Sequence, residues 1–247
     1  MQGGIFDAGR LGAELQFDLL FMAKTFIAAL KAVPITFQIT VAALVLAIPA
    51  GFFMAMCVIY RVRVLKQLSL LYISFIRGTP IVLQILIIYS LLPSLLNSFI
   101  KSMGWNINIF DINPVIYAFI VFAMNNAAQL AELFRSGILA VDKGQYEAAL
   151  ACGLSPAQSY VNIIIPQAMI TTLPNFCSLV IILIKNTSLA FMMTVKDITA
   201  VARIEANRSY NYVEAYLDIF AIYIIICALV QLLFTRLERR FSPMRGA

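Results

Sequence analysis

Long apolar stretches alternate with short polar connections along the whole chain. Most of these stretches contain no charged residue at all. A bilayer core of roughly 30 Å takes about 20 apolar helical residues to cross, so the pattern predicts an all-α polytopic membrane protein with five transmembrane helices. The predicted spans lie near residues 35–60, 67–93, 113–134, 168–193 and 213–235.

The segment before the first span has an amphipathic pattern. From Leu15 to Val33, apolar runs alternate with Asp18, Lys24 and Lys31. The two lysines are seven residues apart and share one helix face. This spacing favours an amino-terminal helix lying in the membrane interface, with an early extension of the first span as the alternative. The first twenty residues lack a basic start and a cleavage pattern, so we expect no signal peptide.

The composition agrees with a membrane protein and argues against an enzyme. Of the 247 residues, 62% are hydrophobic and 12% are charged, about half the charged share of an average soluble domain. The chain has no histidine, and its four cysteines show no paired spacing, so we expect neither a metal site nor a disulfide. It also lacks the Walker A glycine loop that cradles nucleotide phosphates. Any ATP hydrolysis is therefore expected on another chain.

Basic residues concentrate in two connecting segments and predict the orientation. They are Arg61, Arg63 and Lys66 in the loop after the first span, and Arg236, Arg239, Arg240 and Arg245 in the tail. Loops rich in lysine and arginine stay in the cytoplasm. Five spans then place the amino terminus outside, the carboxyl terminus inside, and the segment between the third and fourth spans inside.

That cytoplasmic segment, residues 141–166, carries signals for two short helices. The signals are Asp142 with Gln145 as a start, Gly153 as a stop, and Ser155 with Pro156 and Gln158 as a second start. Glycine ends helices because it adopts the left-handed conformation at little cost, and the second start has the form of a capping box. The pair predicts either a rigid knob that a soluble partner grips or a plain connector. A DNA-binding helix-turn-helix is disfavoured because both ends are tethered in lipid.

Polar residues inside the third span form a stripe. Asn125, Gln129, Glu132 and Ser136 are spaced four, three and four residues apart, so they lie on one helix face, with Asn126 beside it. Polar groups in lipid are costly and are candidates for function. Hydrogen bonding between helices is the competing explanation.

Arg77 is a charged residue within the predicted second span. Eleven residues at 1.5 Å each place it about 16 Å from the cytoplasmic edge. Gly78 and Pro80 follow, which predicts a break in the helix, and broken helices near the midplane are typical of transport sites. Gln84 would share the face of Arg77 if the helix resumed without much offset. Arg77 either attracts a substrate carboxylate or holds a gate, or it forms a buried pair with Glu132.

The fourth span contains a similar polar break. It consists of Lys185, Asn186, Thr187 and Ser188. The lysine either marks a polar route or extends its amine to the membrane interface.

The loop between the third and fourth spans has a family resemblance. Glu147, Ala148 and Ala149, then Gly153 after three residues, and the run Ile163 to Pro166 after nine more, are similar to the EAA loop of ABC importer permeases. Ile165 stands where leucine is usual. Four further segments resemble the polar amino-acid uptake branch, of the histidine, glutamine, arginine and cystine type: FIRGTPIVLQ at 75–84, GQYEAA at 144–149, IPQA at 165–168 and KNTSL at 185–189.

The resemblance extends over nearly the whole chain and implies one transmembrane domain over residues 1–247. It implies the permease subunit of a binding-protein-dependent ABC importer in a bacterial cytoplasmic (inner) membrane, moving a polar amino acid by alternating access. The run from Lys196 to Tyr216 slightly favours cystine. The resemblance also places the Lys185–Ser188 segment near the translocation path.

Partners and coupling residues follow from the same resemblance. It implies an ATPase dimer holding ATP and Mg, a second permease copy or a sister permease, an extracellular or periplasmic solute-binding protein, surrounding lipid, and neither a cofactor on this chain nor nucleic acid. The residues expected to contact the ATPase are Glu147, Ala148, Ala149, Gly153, Leu154, Ser155 and Pro156. Those expected along the substrate route are Arg77, Gln84, Asn125, Asn126, Gln129, Glu132, Lys185, Asn186, Thr187 and Ser188.

An ion-coupled secondary transporter of amino acids is the alternative class. Polar residues inside the spans fit that class, but we find no inverted repeat and expect no mid-span carboxylate apart from Glu132 near the inner end. A membrane-embedded enzyme fits less well because histidine, a catalytic cysteine context and paired acids are all missing. The energy source separates the two transporter classes, since only the ABC importer requires ATP.

Overall fold

The computed structural model describes residues 17–105 and 109–241, and every regular element within them is helical. The α-helices are α1 Leu19–Leu30, α2 Val33–Ile59, α3 Arg63–Gly78, α4 Ile81–Ser102, α5 Pro114–Leu139, α6 Lys143–Ala151, α7 Pro156–Ser159, α8 Ile165–Asn186, α9 Ile198–Ser209 and α10 Tyr212–Phe241. Short 3-10 segments cover Ile109–Asp111 and Thr187–Met193, and a π-helical turn covers Tyr160–Ile164. The predicted all-α class is confirmed.

Within residues 17–105 and 109–241, five helical stretches are long and apolar enough to cross a membrane, as predicted. They are Leu19–Ile59, Ile81–Ser102, Pro114–Leu139, Pro156–Met193 and Tyr212–Phe241. Two residues used in the sequence argument, Leu15 and Arg245, lie outside the described residues.

The second span differs from its predicted bounds of 67–93. The chain there forms two helices, and only α4 is long and apolar enough to cross a membrane. Thr79 has the extended conformation (φ −116°, ψ 140°), as expected for a residue before proline. The predicted break is therefore confirmed, and it separates α3 from α4.

The fourth span begins earlier than predicted. Its helix starts at Pro156 and runs through the π-helical turn into α8. Pro166 lacks the N–H that would bond to the carbonyl four residues earlier, and its ring would clash with that carbonyl. The backbone N–H of Ile165 instead donates to the carbonyl of Tyr160, five residues earlier. A local π turn of this kind accommodates the proline without ending the helix.

The segment before α2 is helical, as the sequence predicts. Asp18 caps α1, because its carboxylate accepts a hydrogen bond from the backbone N–H of Phe21 at 2.8 Å. Helix α1 packs against α9 and α10, with Ala29 fully buried. A position for α1 in the membrane interface stays a prediction.

The core lies between α2 and α5, where small residues let the helices approach closely. Ala43 and Ala47 of α2 and Ala128 of α5 are fully buried. A Cβ atom added to Gly51 would lie 2.9 Å from the carbonyl oxygen of Ala127, so the two backbones meet there. Contacts between small residues are a common way to pack helices in lipid. Helix α5 also contacts α3, α4 and α8, and is thus the central helix.

Candidate functional site

The loop after α5 forms a capped helical knob, which we define as residues 142–159. The Asp142 carboxylate accepts a hydrogen bond from the backbone N–H of Gly144 at 2.6 Å and starts α6. Gly153 follows the end of α6 with φ +85°, a backbone conformation that favours glycine. The predicted start and stop signals are therefore confirmed.

A reciprocal capping box starts α7. The Ser155 hydroxyl accepts from the backbone N–H of Gln158 at 3.3 Å, and the Gln158 amide oxygen accepts from the backbone N–H of Ser155 at 2.9 Å. The second short helix is not separate, however, because α7 continues through the π turn into α8. The knob is thus joined to the fourth span without a flexible connection.

Most of the knob residues that match the family pattern are exposed on its surface. Glu147, Ala148, Gly153, Ser155 and Pro156 are exposed. Ala149 is buried and Leu154 is half-buried, so these two side chains pack against the rest of the chain. A partner protein would therefore bind an exposed surface whose backbone is already ordered by the helix caps.

Three tyrosines connect the knob to the first span. The rings of Tyr60 and Tyr160 have centroids 5.4 Å apart, and those of Tyr146 and Tyr160 are 5.5 Å apart. Tyr60 follows α2, Tyr146 lies in α6 and Tyr160 opens the π turn. Aromatic pairs at such distances add stability beyond the area they bury. Movement of α6 would therefore reach both α2 and the base of α8.

A hydrogen-bonded amide network fixes the break between α3 and α4. The Gln84 side-chain amide donates to the carbonyl of Ile76 at 2.9 Å and to the hydroxyl of Thr79 at 2.8 Å. Asn125 of α5 donates to the Gln84 amide oxygen at 3.0 Å. Both amides are buried. Bonding between helices, one of the two explanations for the polar stripe, is therefore observed at Asn125.

The other members of the stripe have different surroundings. Asn126 is buried and donates to the carbonyl of Phe122 in its own helix at 2.8 Å. Gln129 is half-buried, and within the described residues its side chain makes no hydrogen bond. Ser136 is exposed and donates to the carbonyl of Leu133 at 3.0 Å. The stripe thus changes from buried to accessible along α5.

The proposed pair between Arg77 and Glu132 is wrong. Glu132 pairs with Arg135 one turn further along α5, at 2.7 Å. Arg77 is exposed, and within the described part of the chain it makes no ion pair. Gln84 is buried, so Arg77 and Gln84 do not share a face, and the condition that the helix resumes without much offset is not met. The extended residue Thr79 rotates α4 relative to α3.

The polar segment of the fourth span lies where the helix changes type. The α-helix ends at Asn186, and a 3-10 helix runs over Thr187–Met193. Thr187 is fully buried and donates to the carbonyl of Ile184 at 2.6 Å. Lys185 is exposed, and Asn186 and Ser188 are half-buried. The predicted irregularity is confirmed, and it does not interrupt the helical path.

A second buried polar cluster escaped the sequence analysis. Asp197 caps α9 by accepting from the backbone N–H groups of Ala200 at 2.9 Å and Thr199 at 3.2 Å. The residue is completely buried, and burial raises the pKa of Asp197 from 3.8 to about 6, although those hydrogen bonds oppose the change. The Asp–Ile–Thr–Ala order is a helix start signal that would have located the cap, but not its burial.

Helix α10 adds further polar groups to the interior. The Tyr223 phenol lies beside the hydroxyls of Thr36, Thr187 and Thr199, and the oxygen atoms of Tyr223, Thr36 and Thr199 are buried. Asp218 is also buried in α10. Asp218 lies near the start of α10, and its burial could not be read from the sequence.

Comparison with known proteins agrees with this architecture. A family model described as the inner membrane component of binding-protein-dependent transport systems matches residues 47–243. The L-cystine transport system permease protein TcyL of Bacillus subtilis is 34% identical, over 93% of this chain and 93% of its own length. The octopine transport system permease protein OccM of Rhizobium radiobacter is 37% identical, over 94% of this chain and 93% of its own.

A solved structure is similar along its whole length. It is an amino acid ABC transporter crystallised with histidines, it is 30% identical to this chain, and it superimposes with a TM-score of 0.76. The match covers 92% of this chain and 100% of the other. Five apolar helices, the exposed capped knob and these similarities agree, and the chain therefore belongs to the family of inner membrane components of binding-protein-dependent transport systems, the multi-pass permease subunits of ABC transporters.

Proposed function

We propose that the chain is the permease subunit of an importer that moves a polar amino acid into a bacterial cell across the cytoplasmic membrane. ATP and Mg are bound by a separate ATPase dimer, and a solute-binding protein delivers the substrate on the other side. The observation that carries the proposal is the exposed knob, which is pre-formed by its caps and continuous with the fourth span. A partner's movement at the knob would shift this span as one body.

In the proposed topology the amino terminus is outside and the carboxyl terminus is inside, which places the knob in the cytoplasm. This orientation follows from the basic residues of the loop after α2 and of the end of α10. A second permease, either another copy or a sister chain, completes the membrane part. Each ATPase subunit then contacts one knob, and alternating access follows from ATP-driven movement of the two knobs.

The proposed route for the substrate passes the exposed Arg77 and the half-buried Gln129. An arginine binds a carboxylate through paired, charge-assisted hydrogen bonds, and every amino acid carries a carboxylate. The Gln84–Asn125 bond has a positioning role in this proposal, because it fixes the break that follows Arg77. The polar break at Lys185 and Asn186 lies on the same route.

The substrate class rests on the relatives. Their names refer to L-cystine, octopine and histidines, and a polar amino acid is the class that these share. Cystine is the first candidate. We expect the purified complex in lipid vesicles to hydrolyse ATP faster with its cognate amino acid and binding protein. Uptake driven by an ion gradient without ATP would refute the proposal and favour a secondary transporter.

A glycine substitution at the knob tests the coupling role. Gly153→Val forces a β-branched residue into left-handed backbone, at a cost of about 1–2 kcal/mol, and no atom lies within 4 Å of the added Cβ. We expect the chain to insert in the membrane but to lose ATPase co-purification and uptake. Gly104→Val is the matched control, because Gly104 also has a positive φ, of +74°, and open space around it.

The control separates strain from coupling. The proposed topology places Gly104 on the opposite side of the membrane from the knob, so Gly104→Val should keep the ATPase bound. Normal co-purification together with normal uptake for Gly153→Val would refute the assignment of the knob as the surface that binds the ATPase. Equal losses in both variants would attribute the effect to folding.

A further inference from the structure

An open groove lies between α8 and α10, at the end of the fold where α10 finishes. It consists of two cavities of about 250 Å³ each, and both are lined by Ile170, Leu173 and Phe241. The first cavity also contains Glu238 and Arg239. One cavity is thus lined by apolar residues alone, and the other has one acidic and one basic side chain beside Thr235.

Neither charged residue forms an ion pair within the described residues. The ion pairs within residues 17–105 and 109–241 join Glu132 to Arg135 and Glu205 to Arg208, so Glu238 and Arg239 both remain without an ionic partner there. The two residues are consecutive in the last two turns of α10. Together they are complementary to a ligand that carries one negative and one positive group close together.

The depth of the groove suits a lipid headgroup. Helix α10 has 30 residues, which at 1.5 Å each span about 45 Å, more than the roughly 30 Å of the hydrocarbon core. Its last turns therefore reach the headgroup region, where arginine side chains are favourable. Leu173 and Pro174 lie further along α8 than its start beside Phe241, and therefore deeper in the membrane than the two charged residues, towards the acyl chains.

We propose that this groove binds one molecule of a zwitterionic aminophospholipid, phosphatidylethanolamine, from the surrounding membrane. Arg239 binds the phosphate and Glu238 binds the ammonium group, and one acyl chain lies along Leu173 and Pro174. Both polar contacts are charge-assisted hydrogen bonds, which are stronger than neutral ones.

Headgroup chemistry separates this lipid from its neighbours in a membrane. Phosphatidylglycerol offers the phosphate but no cation, so Glu238 would face a negative headgroup. Phosphatidylcholine carries a quaternary ammonium group that has no N–H to donate to the Glu238 carboxylate. The site therefore distinguishes three lipids of identical chain length.

Native mass spectrometry of the purified full-length permease, with each lipid added at equal concentration, tests the site. We expect one tightly held phosphatidylethanolamine per chain, retained about tenfold better than either other lipid, since one charge-assisted bond is worth roughly that factor. Arg239→Gln should lower retention about tenfold, and Glu238→Gln should abolish the preference over phosphatidylglycerol. Arg240→Gln is the matched control, because Arg239 and Arg240 are both exposed and Arg240 does not line the groove.

Three results would overturn the proposal. One is equal retention of the three lipids by the unaltered chain. Another is an equal effect of Arg239→Gln and Arg240→Gln, which would indicate general attraction of lipid phosphates to the basic end of α10. The third is loss of bound lipid on pairing with a second permease, together with cross-linking of that permease to a cysteine at Ile170, which would make the groove a subunit interface.

Discussion

The buried carboxylate of Asp197 predicts that the stability of the protein depends on pH in a defined window. Burial raises the pKa of Asp197 from 3.8 to about 6, so the folded protein holds this proton more tightly than the unfolded chain does. Between these two values the folded state binds more protons, and the free energy of unfolding therefore falls as the pH rises. Above about pH 6 the destabilisation is complete.

The magnitude follows from the size of the pKa change. A difference of about two pH units at about 1.4 kcal/mol per unit amounts to about 3 kcal/mol. Asp197→Asn isolates this contribution, because asparagine is as good a helix cap as aspartate but carries no charge. We expect the variant to lose this pH dependence and to be more stable than the unaltered protein at pH 7.5.

Chemical unfolding in detergent micelles between pH 4 and pH 7.5 measures the effect. Other acids also titrate in this range, so the quantity of interest is the difference between the unaltered chain and Asp197→Asn at each pH. Asp142→Asn is the matched substitution at an exposed cap, and it measures what the exchange of a cap carboxylate for an amide costs by itself. A difference for Asp197→Asn that stays constant between pH 4 and pH 7.5 would refute the argument from burial.

Three further predictions concern the route and the topology. Asn125→Leu should leave assembly intact and cost about 0.6 kcal/mol of stability, the average for such bonds in membranes. A loss of substrate-stimulated ATPase activity would show that Asn125 also acts in the substrate route. Lost assembly would contradict the small stability cost. Arg77→Gln should weaken stimulation by every amino acid with a free carboxylate at normal yield of the complex, and unaltered stimulation would exclude carboxylate binding. Single cysteines at Lys66 and Ser102, in a cysteine-free chain, should be labelled from the cytoplasmic and the outer side respectively, and the reverse pattern would overturn the topology.

Local signals in the sequence predicted the elements of the fold well. The breaks and caps at Pro80, Asp142 and Ser155 are found in the structure, because each depends on hydrogen bonds or sterics within a few residues. The left-handed residue at Gly153 has the same origin. The family-matched segments added the identification of the knob, which the capping signals alone left open between a docking surface and a connector.

The bounds of the spans were less well predicted. Apolar composition alone continues across Thr79, whereas the proline that follows it ends α3 and starts α4. Before the fourth span the prediction divided what is continuous, because polar residues suggested a separate helix there. The chain between Gln158 and Ile165 contains no residue that stops a helix, and a π turn accommodates Pro166.

The sequence by itself determined the helical class, the five apolar spans and the capped knob, since these depend on neighbours along the chain and on the cost of placing charges in lipid. Only the tertiary structure decided which polar groups meet. Glu132 pairs with Arg135 and not with Arg77, and Asn125 bonds to Gln84 across 41 positions of sequence. The burial of Asp197 likewise depends on packing, because a carboxylate's surroundings are set by helices that are distant in the chain.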